Sequence, residues 1–291
     1  METEKQQMQD DSPVKGNFIE IDKVIRNKSP RLYSLLPGFI IRYLKRTIRQ
    51  DDINEFIRRR GNLFGLPFAD AIIEDFGINV IAHGMENIPA SGRYIIASNH
   101  PLGGLDGIAL ITVAGKLRKD IVFPVNDLLM FLDNLRELFI PINKHGSNAE
   151  NIAIIDRTFA SGVVILYFPA GLVSRKHKGG VIKDLEWKKT FISKAKKFRR
   201  DIIPAHIDGR NTNFFYNLAK FRKQIGIKQN IEMLYLVDEL YKQYNRTINI
   251  TLGKMIPWQT FDRRFTDVQW AAKMREHVYN LEKDPSAVFA Y

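Results

Sequence analysis

From Ile78 onward the chain alternates short β-rich runs with longer amphipathic stretches, and this alternation constrains the fold more than any other feature. Ile78–Ala82, Tyr94–Ser98, Ile121–Val125, Phe139–Ile142, Val163–Phe168, Ile202–Ile207 and Thr247–Leu252 read as strands. Helical periodicity falls near 106–118, 127–137, 147–160, 186–199, 214–224 and 231–244, with a last helix at about 267–282. Ser147-Asn148-Ala149-Glu150 has the form of a capping box and starts one of them. Strands that alternate with helices of this length indicate an α/β fold, with a mostly parallel central sheet flanked by helices.

The segment before this alternation has a different texture. Residues 1–16 read as a disordered tail. Residues 17–76 read as a helical N-terminal segment with turn signals at Ser29-Pro30, Pro37-Gly38 and Gly61, which leaves 77–291 as the main domain. The 291 residues are 45% apolar, enough to bury a core without a covalent staple. There is no cysteine, which excludes disulfides, a Cys nucleophile, zinc ribbons and iron–sulfur clusters. The longest uncharged stretch, Thr158 to Ser174, is broken by Gly162, Pro169 and Gly171 and is a strand with its following loop rather than a membrane span. The polar N-terminus lacks the apolar region of a signal peptide, so a cytoplasmic location is expected.

A net charge of +12 calls for an anionic partner, either nucleic acid or an anionic membrane leaflet. The charge is concentrated. Arg175 to Arg200 holds eleven Lys/Arg against Asp184 and Glu186, a net +9 in 26 residues. In Phe39–Arg49 the residues Ile40, Ile41, Leu44 and Ile48 recur at helical spacing, with Arg42, Lys45, Arg46 and Arg49 between them. That pattern suits a helix lying in a membrane interface, and equally a core-packed helix with a solvated basic face. Leu35, Leu36 and Phe39 around Pro37-Gly38 favour the membrane.

Chemistry concentrates in Tyr94-Ile-Ile-Ala-Ser-Asn-His-Pro-Leu-Gly-Gly-Leu-Asp-Gly107. A buried strand enters a glycine-rich turn that opens a helix, the edge of an α/β sheet where ligands bind. His100 and Asp106 bracket the turn; a carboxylate that orients a histidine makes a general base able to deprotonate a hydroxyl. Taken singly, Asp106 reads as a helix N-cap, His100 as a local hydrogen-bonding residue, and Gly103 and Gly104 as suppliers of positive φ. No Gly-x-Ser-x-Gly elbow supplies a serine, so the nucleophile would be the acceptor itself. His145, His177 and His206 lack the spacing of a zinc site, and no metal or other cofactor is expected.

Asn99-His100-Pro101-Leu102-Gly103-Gly104-Leu105-Asp106 resembles the first block of the glycerolipid (lysophosphatidate-type) acyltransferase family. Five residues separate His from Asp here, where the family has four; the bacterial branch of putative haemolysins and amino-acid-lipid O-acyltransferases shares the insertion. Leu138–Lys144 resembles the second block, Tyr167–Arg175 the third (Phe-Pro-Glu-Gly-Thr-Arg-Ser in the family), and Ile202–Ile207 the fourth. The resemblance implies a glycerol-phosphate-acyltransferase-like fold and direct acyl transfer from acyl-carrier protein or acyl-CoA to a lyso-lipid hydroxyl. His100 would be the base and Asp106 its orienter. Asn99, Gly103, Gly104, Lys144, Gly171 and Arg175 would contact substrate, with the Gly103-Gly104 or Gly171 turn as oxyanion donor.

The third block departs from the family: its Glu is Ala170 and its Thr-Arg is Leu172-Val173. An anion site could still form from Lys144, Arg175 and Lys176. The departure favours an N-acylated amino-acid lyso-lipid acceptor over lysophosphatidic acid, which remains the alternative. A non-catalytic basic module binding lipid or nucleic acid is the reading from another class. Against nucleic acid, the 175–200 cluster interleaves with Trp187, Phe191, Ile192 and Ala195 at helical spacing, and acyl-carrier protein is itself an acidic partner. The expected protein is peripheral, on the inner face of the cytoplasmic membrane, and bound to its anionic surface.

Overall fold

A computed structural model of the chain describes residues 19–125, 130, 132–141 and 148–291. The expected tail at 1–16, residues 127–129 and 131 of the helix expected at 127–137, the capping Ser147, and Ile142, Lys144 and His145 lie outside the described residues, and the described end of that helix is a 3-10 turn, Asp133–Leu138. The chain divides into two compact units, Met1–Leu63 and Phe64–Tyr291.

In the first unit the described chain forms four helices: α1 (Ile21–Lys28), α2 (Pro30–Leu35), α3 (Gly38–Thr47) and α4 (Gln50–Arg60). The Ser29 hydroxyl caps α2 by accepting the Leu32 N–H at 3.2 Å, with Pro30 in the first turn. Asn54 exchanges two hydrogen bonds with the Ile19 backbone, N–H to Oδ1 and Nδ2 to O, each 2.8 Å. On α3 only Ile41 and Thr47 are buried, while Leu35 and Phe39 are 72% and 61% exposed.

The second unit begins with α5 (Gly65–Asp75), so the boundary falls earlier than the expected 76/77. Phe68, Ala69 and Ala71 are buried on α5, and the helix crosses α6 (Gly104–Gly115) closely at Gly115. A Cβ added to Gly115 would lie 2.8 Å from the Leu66 side chain. Such packing makes α5 part of this core.

The main sheet has seven strands: β1 (Asn79–His83), β2 (Tyr94–Ser98), β3 (Ile121–Val125), β4 (Phe139–Pro141), β5 (Val164–Tyr167), β8 (Asp201–Ile207) and β9 (Thr247–Leu252). A separate antiparallel ribbon pairs β6 (Arg175–Lys176) with β7 (Ile182–Lys183). The order is β1-β9-β8-β2-β5-β3-β4, and every pair is parallel except β8 with β9. The mostly parallel α/β sheet inferred from the alternation is therefore present. Central β2 is buried at all five positions, as a parallel strand covered on both faces must be. Ile95 and Ala97 join Ile165 and Ile202 in a core against α8 (Thr190–Phe198) and α11 (Asp267–Asn280), through Phe191, Trp270, Met274 and Val278. The remaining helices are α7 (Asn148–Ala160), α9 (Asn213–Gln224) and α10 (Leu236–Tyr241).

Two helical expectations are shortened. The 186–199 stretch becomes α8 only from Thr190, because Trp187 is drawn into the core and Lys188 N–H bonds the Pro169 carbonyl at 3.1 Å. The 231–244 stretch splits into a 3-10 turn at Ile231–Tyr235 followed by α10. Among the described residues, no helix is long and apolar enough to cross a membrane.

Candidate active site

The turn between β2 and α6 is built around one carboxylate. Asp106 is fully buried and accepts backbone N–H bonds from Leu102 (2.8 Å), Gly103 (3.2 Å) and Gly107 (2.8 Å). Wrapping the turn this way places Gly103 at φ +88°, ψ −124°, and a Cβ there would come within 3.2 Å of Leu236. Asp106 thus supports the first turn of α6, which begins at Gly104, and its carboxylate is also positioned for His100.

His100 Nδ1 lies 3.1 Å from both Asp106 oxygens. A carboxylate that accepts from three amides makes Nδ1 the donor, so Nε2 carries the free lone pair. The imidazole stacks on Phe168 (centroids 4.1 Å, 23°), and Phe168 meets Phe123 edge-on at 4.9 Å. Its side chain keeps 17% exposure, whereas that of Asp106 keeps none. Burial pushes the His100 pKa down, but the Asp106 charge and hydrogen bond raise it by more, and the net direction is upward.

The backbone of His100 is held from the third block and its sequel. Its N–H donates to Asp184 Oδ1 at 3.1 Å, and its carbonyl accepts the Ser174 N–H at 2.8 Å. Ser174 Oγ donates to the same Asp184 oxygen at 2.6 Å, while the Trp187 indole donates to Oδ2 at 2.8 Å. The Asp184 N–H donates to Tyr279 Oη at 2.8 Å, and the Arg275 guanidinium reaches the Asp184 carbonyl. Asp184 is fully buried, and that burial pushes its carboxyl pKa up. Neither Ser174 nor Asp184 was singled out by sequence. The available signal was Asp184 itself, one of two acids inside a strongly basic run.

Other sequence candidates separate. Asn99 is buried and committed to the sheet: Nδ2 donates to the Ile207 carbonyl at 2.8 Å and Oδ1 accepts the Ile207 N–H at 2.7 Å. It shapes the turn and offers no open polar atom to a substrate. Gly104 lies on α6 near Leu240. The Gly103 N–H is taken by Asp106 and the Gly171 N–H by the Phe168 carbonyl at 3.0 Å, so neither of these amides points freely at a reacting oxygen. Gly171 is nonetheless required by its backbone, at φ +66° with the Lys188 ammonium close by.

Arg175 also departs from its expected role as an open anion ligand. It is 5% exposed, and its guanidinium pairs with fully buried Glu232 at 3.0 Å, which Arg222 engages from another side at 2.6 Å. A guanidinium that would be unpaired in a low-dielectric interior takes an internal carboxylate instead. Ala170 is buried in the apolar core beside Trp187, so the family Glu has no polar successor at that point. Lys176 is exposed.

The basic run is also less free than its composition suggests. Lys194 and Lys197 share Asp156, and Lys196 pairs with Asp267. Arg200 is fully buried, donating to the carbonyls of Phe159 (2.7 Å), Val163 (2.6 Å), Thr158 (3.2 Å) and Ser161 (2.7 Å). His206 is buried on β8 against Tyr279, and His177 Nε2 sits 3.1 Å from the Lys183 carbonyl.

Comparison with known proteins gives the same direction. Residues 23–288 match the model of the family described as "Acyltransferase". The lyso-glycine lipid O-acyltransferase of Bacteroides thetaiotaomicron is 46% identical over 266 residues, covering 91% of this chain and 97% of its own. The protein of the same name from Phocaeicola vulgatus is also 46% identical, covering 91% and 95%. Among solved structures, the 1-acyl-sn-glycerophosphate (LPA) acyltransferase PlsC of Thermotoga maritima aligns with 17% identity and a TM-score of 0.48, over 93% of this chain and 95% of that one. The match spans all four blocks and nearly the whole chain besides, and this protein belongs to the acyltransferase family.

Proposed function

We propose that this enzyme is a peripheral-membrane O-acyltransferase whose acceptor is a lyso-glycine lipid and whose donor is an acyl thioester on acyl-carrier protein or CoA. The acceptor is an N-acylated glycine whose acyl chain carries a free hydroxyl. The observation that carries the mechanism is the His100–Asp106 pair, in which the carboxylate engages Nδ1 and leaves Nε2 with the lone pair a general base needs. The acceptor assignment draws on the relatives that share 46% identity along the chain.

In the reaction Nε2 removes the hydroxyl proton as the oxygen attacks the thioester carbonyl. The tetrahedral oxyanion collapses, the C–S bond breaks, and the leaving sulfur takes the proton from Nε2 and departs as the free thiol. One ester is formed, one thioester is consumed, and His100 returns to its starting state. Asp106 keeps the imidazole in the productive tautomer and stabilises the imidazolium between the two steps. The apolar surroundings of Ala170 also support an acceptor other than glycerol phosphate.

On α2 and α3 of the first unit, the side chains of Leu32, Leu35, Phe39 and Tyr43 are each at least 51% exposed, close in sequence to Arg42, Lys45 and Arg46. This combination suits contact with the anionic cytoplasmic leaflet.

Lipid mass spectrometry of cells expressing wild type or His100→Ala tests the assignment. Wild type should add one acyl chain to the glycine lipid and the variant should not. Unchanged product from the variant would remove His100 from the mechanism, and gain confined to phosphatidic acid would replace the acceptor.

A further inference from the structure

The catalytic unit carries its own apolar surface, on α9. The inner side of this helix buries Phe215, Tyr216, Ala219 and Arg222. Phe214, Leu218, Phe221 and Ile225 recur at helical spacing along a different side, and Phe214, Phe221 and Ile225 are 50%, 57% and 53% exposed. Leu234, 51% exposed, follows in the 3-10 turn whose Tyr235 packs edge-on against Phe214 at 5.0 Å. Single exposed apolar residues are ordinary, whereas a row of large ones along one helix marks a contact surface.

The charges around the row identify its partner. Exposed Arg210, Lys220, Lys223 and Lys228 lie along this segment. Between Gly209 and Tyr235 the one carboxylate is Glu232, which is buried between Arg175 and Arg222. An apolar strip whose own helix carries exposed cations and no acid complements an anionic bilayer, with rings entering the acyl boundary and ammonium groups meeting the headgroups; the nearest exposed acid before it is Asp208.

Its position supports the same partner. Phe215 and Tyr216 on the inner side pack with Val173 and Leu236, and these two residues are the nearest neighbours of a Cβ built on Gly103, at 3.5 and 3.2 Å. The surface is therefore one helix away from the turn that holds His100. An acceptor anchored in a bilayer must bring its hydroxyl to Nε2 without leaving the lipid entirely, so the site must lie near the membrane. A thioester donor travels on a flexible arm and has no such need.

We infer that the outer row of α9 seats the catalytic unit on an anionic membrane, so that the acceptor enters beside Gly103. The acceptor part of this inference rests on the function proposed above; the membrane contact does not. The test uses the full-length protein with vesicles of phosphatidylethanolamine and phosphatidylglycerol, comparing wild type with Phe221→Gln/Ile225→Gln and with Lys220→Glu/Lys223→Glu. Loss of two inserted apolar side chains should weaken co-sedimentation by about tenfold or more. Turnover of vesicle-borne acceptor should fall with it, while turnover of detergent-dispersed acceptor and the melting temperature stay unchanged. Unaltered sedimentation of both variants overturns the inference. So does a loss of turnover in detergent that appears only with a carrier-protein donor, which would assign the row to that donor. His100→Ala should sediment like wild type, so failure of the chemical assignment leaves the membrane result readable.

Discussion

His100 Nδ1 stands 3.1 Å from each oxygen of Asp106 although five residues lie between them, one more than in the related family pattern. The extra residue is absorbed where Leu102 and Gly103 turn their N–H groups onto the carboxylate, with Gly103 taking the positive φ that this requires. The pair is therefore intact across the five-residue turn, and two amides of that turn hold Asp106 as well.

The raised pKa of His100 has a kinetic consequence. Catalysis needs the neutral ring, so kcat/KM should fall on the acid side with an apparent pKa above the ordinary histidine value of about 6.5. Asp106→Asn removes the charge that raises the pKa, so the acid limb should move to lower pH. The loss of tautomer control should lower the plateau rate by about a thousandfold. A pH–rate profile of the two proteins decides it; an unmoved limb would separate Asp106 from His100.

Asp184 is proposed to act on the reaction through His100. Asp184→Asn keeps an oxygen for His100 N–H and Ser174 but turns an amide toward the Trp187 N–H, a donor facing a donor. Stability should drop by about 2 kcal/mol in urea unfolding. kcat should fall more than KM rises, because the ring is misplaced while the rest of the site is kept. Equal changes in both, or neither, would make the residue a general structural support.

Glu232 separates two buried guanidinium groups. Burial pushes its pKa up, but the Arg222 hydrogen bond, its own backbone contacts and the two positive charges push it down further, to a net lowered value. Its stabilising contribution is thus complete above the ordinary glutamate range and is lost as the pH falls through the lower folded value. Glu232→Gln should cost about 3–5 kcal/mol near neutrality. Chemical denaturation as a function of pH should also show a shallower acid dependence in the variant.

Arg200 binds four carbonyls at the end of α7 and the following turn, and burial pushes its pKa down to about 10, so it stays charged at neutral pH. Arg200→Met leaves those acceptors without a donor and should lower stability by about 3 kcal/mol. Lys189→Met, on the exposed part of the same basic run, should change it by less than about 0.5 kcal/mol. Similar melting temperatures for the two variants would contradict the structural distinction.

Much of the site was legible because its signals are local. β2 appears as Tyr94–Ser98 with the bounds read from its apolar run, and the glycine turn opens α6 as expected. His100 and Asp106 are close enough in sequence for one turn to join them. Arg175 looked like an open anion ligand because it ends the third block, yet Glu232, which pairs with it, lies 57 positions away. Asp184 meets His100 across 84 positions, a contact that no periodicity encodes.

By itself the sequence determined the alternation of strands and helices, the His–Asp turn and the family. Each follows from residue type and spacing within a short window, where backbone preference and apolar periodicity act. Tertiary structure decided the strand order, the reversal of β9 against β8, the burial of Arg175, Arg200 and Asp184, and the apolar row left outward on α9. Those outcomes depend on which distant groups desolvate one another. A charge in a basic run becomes an internal ligand only when folding surrounds it with carbonyls or a carboxylate, and an apolar side chain becomes a surface only when no other element covers it.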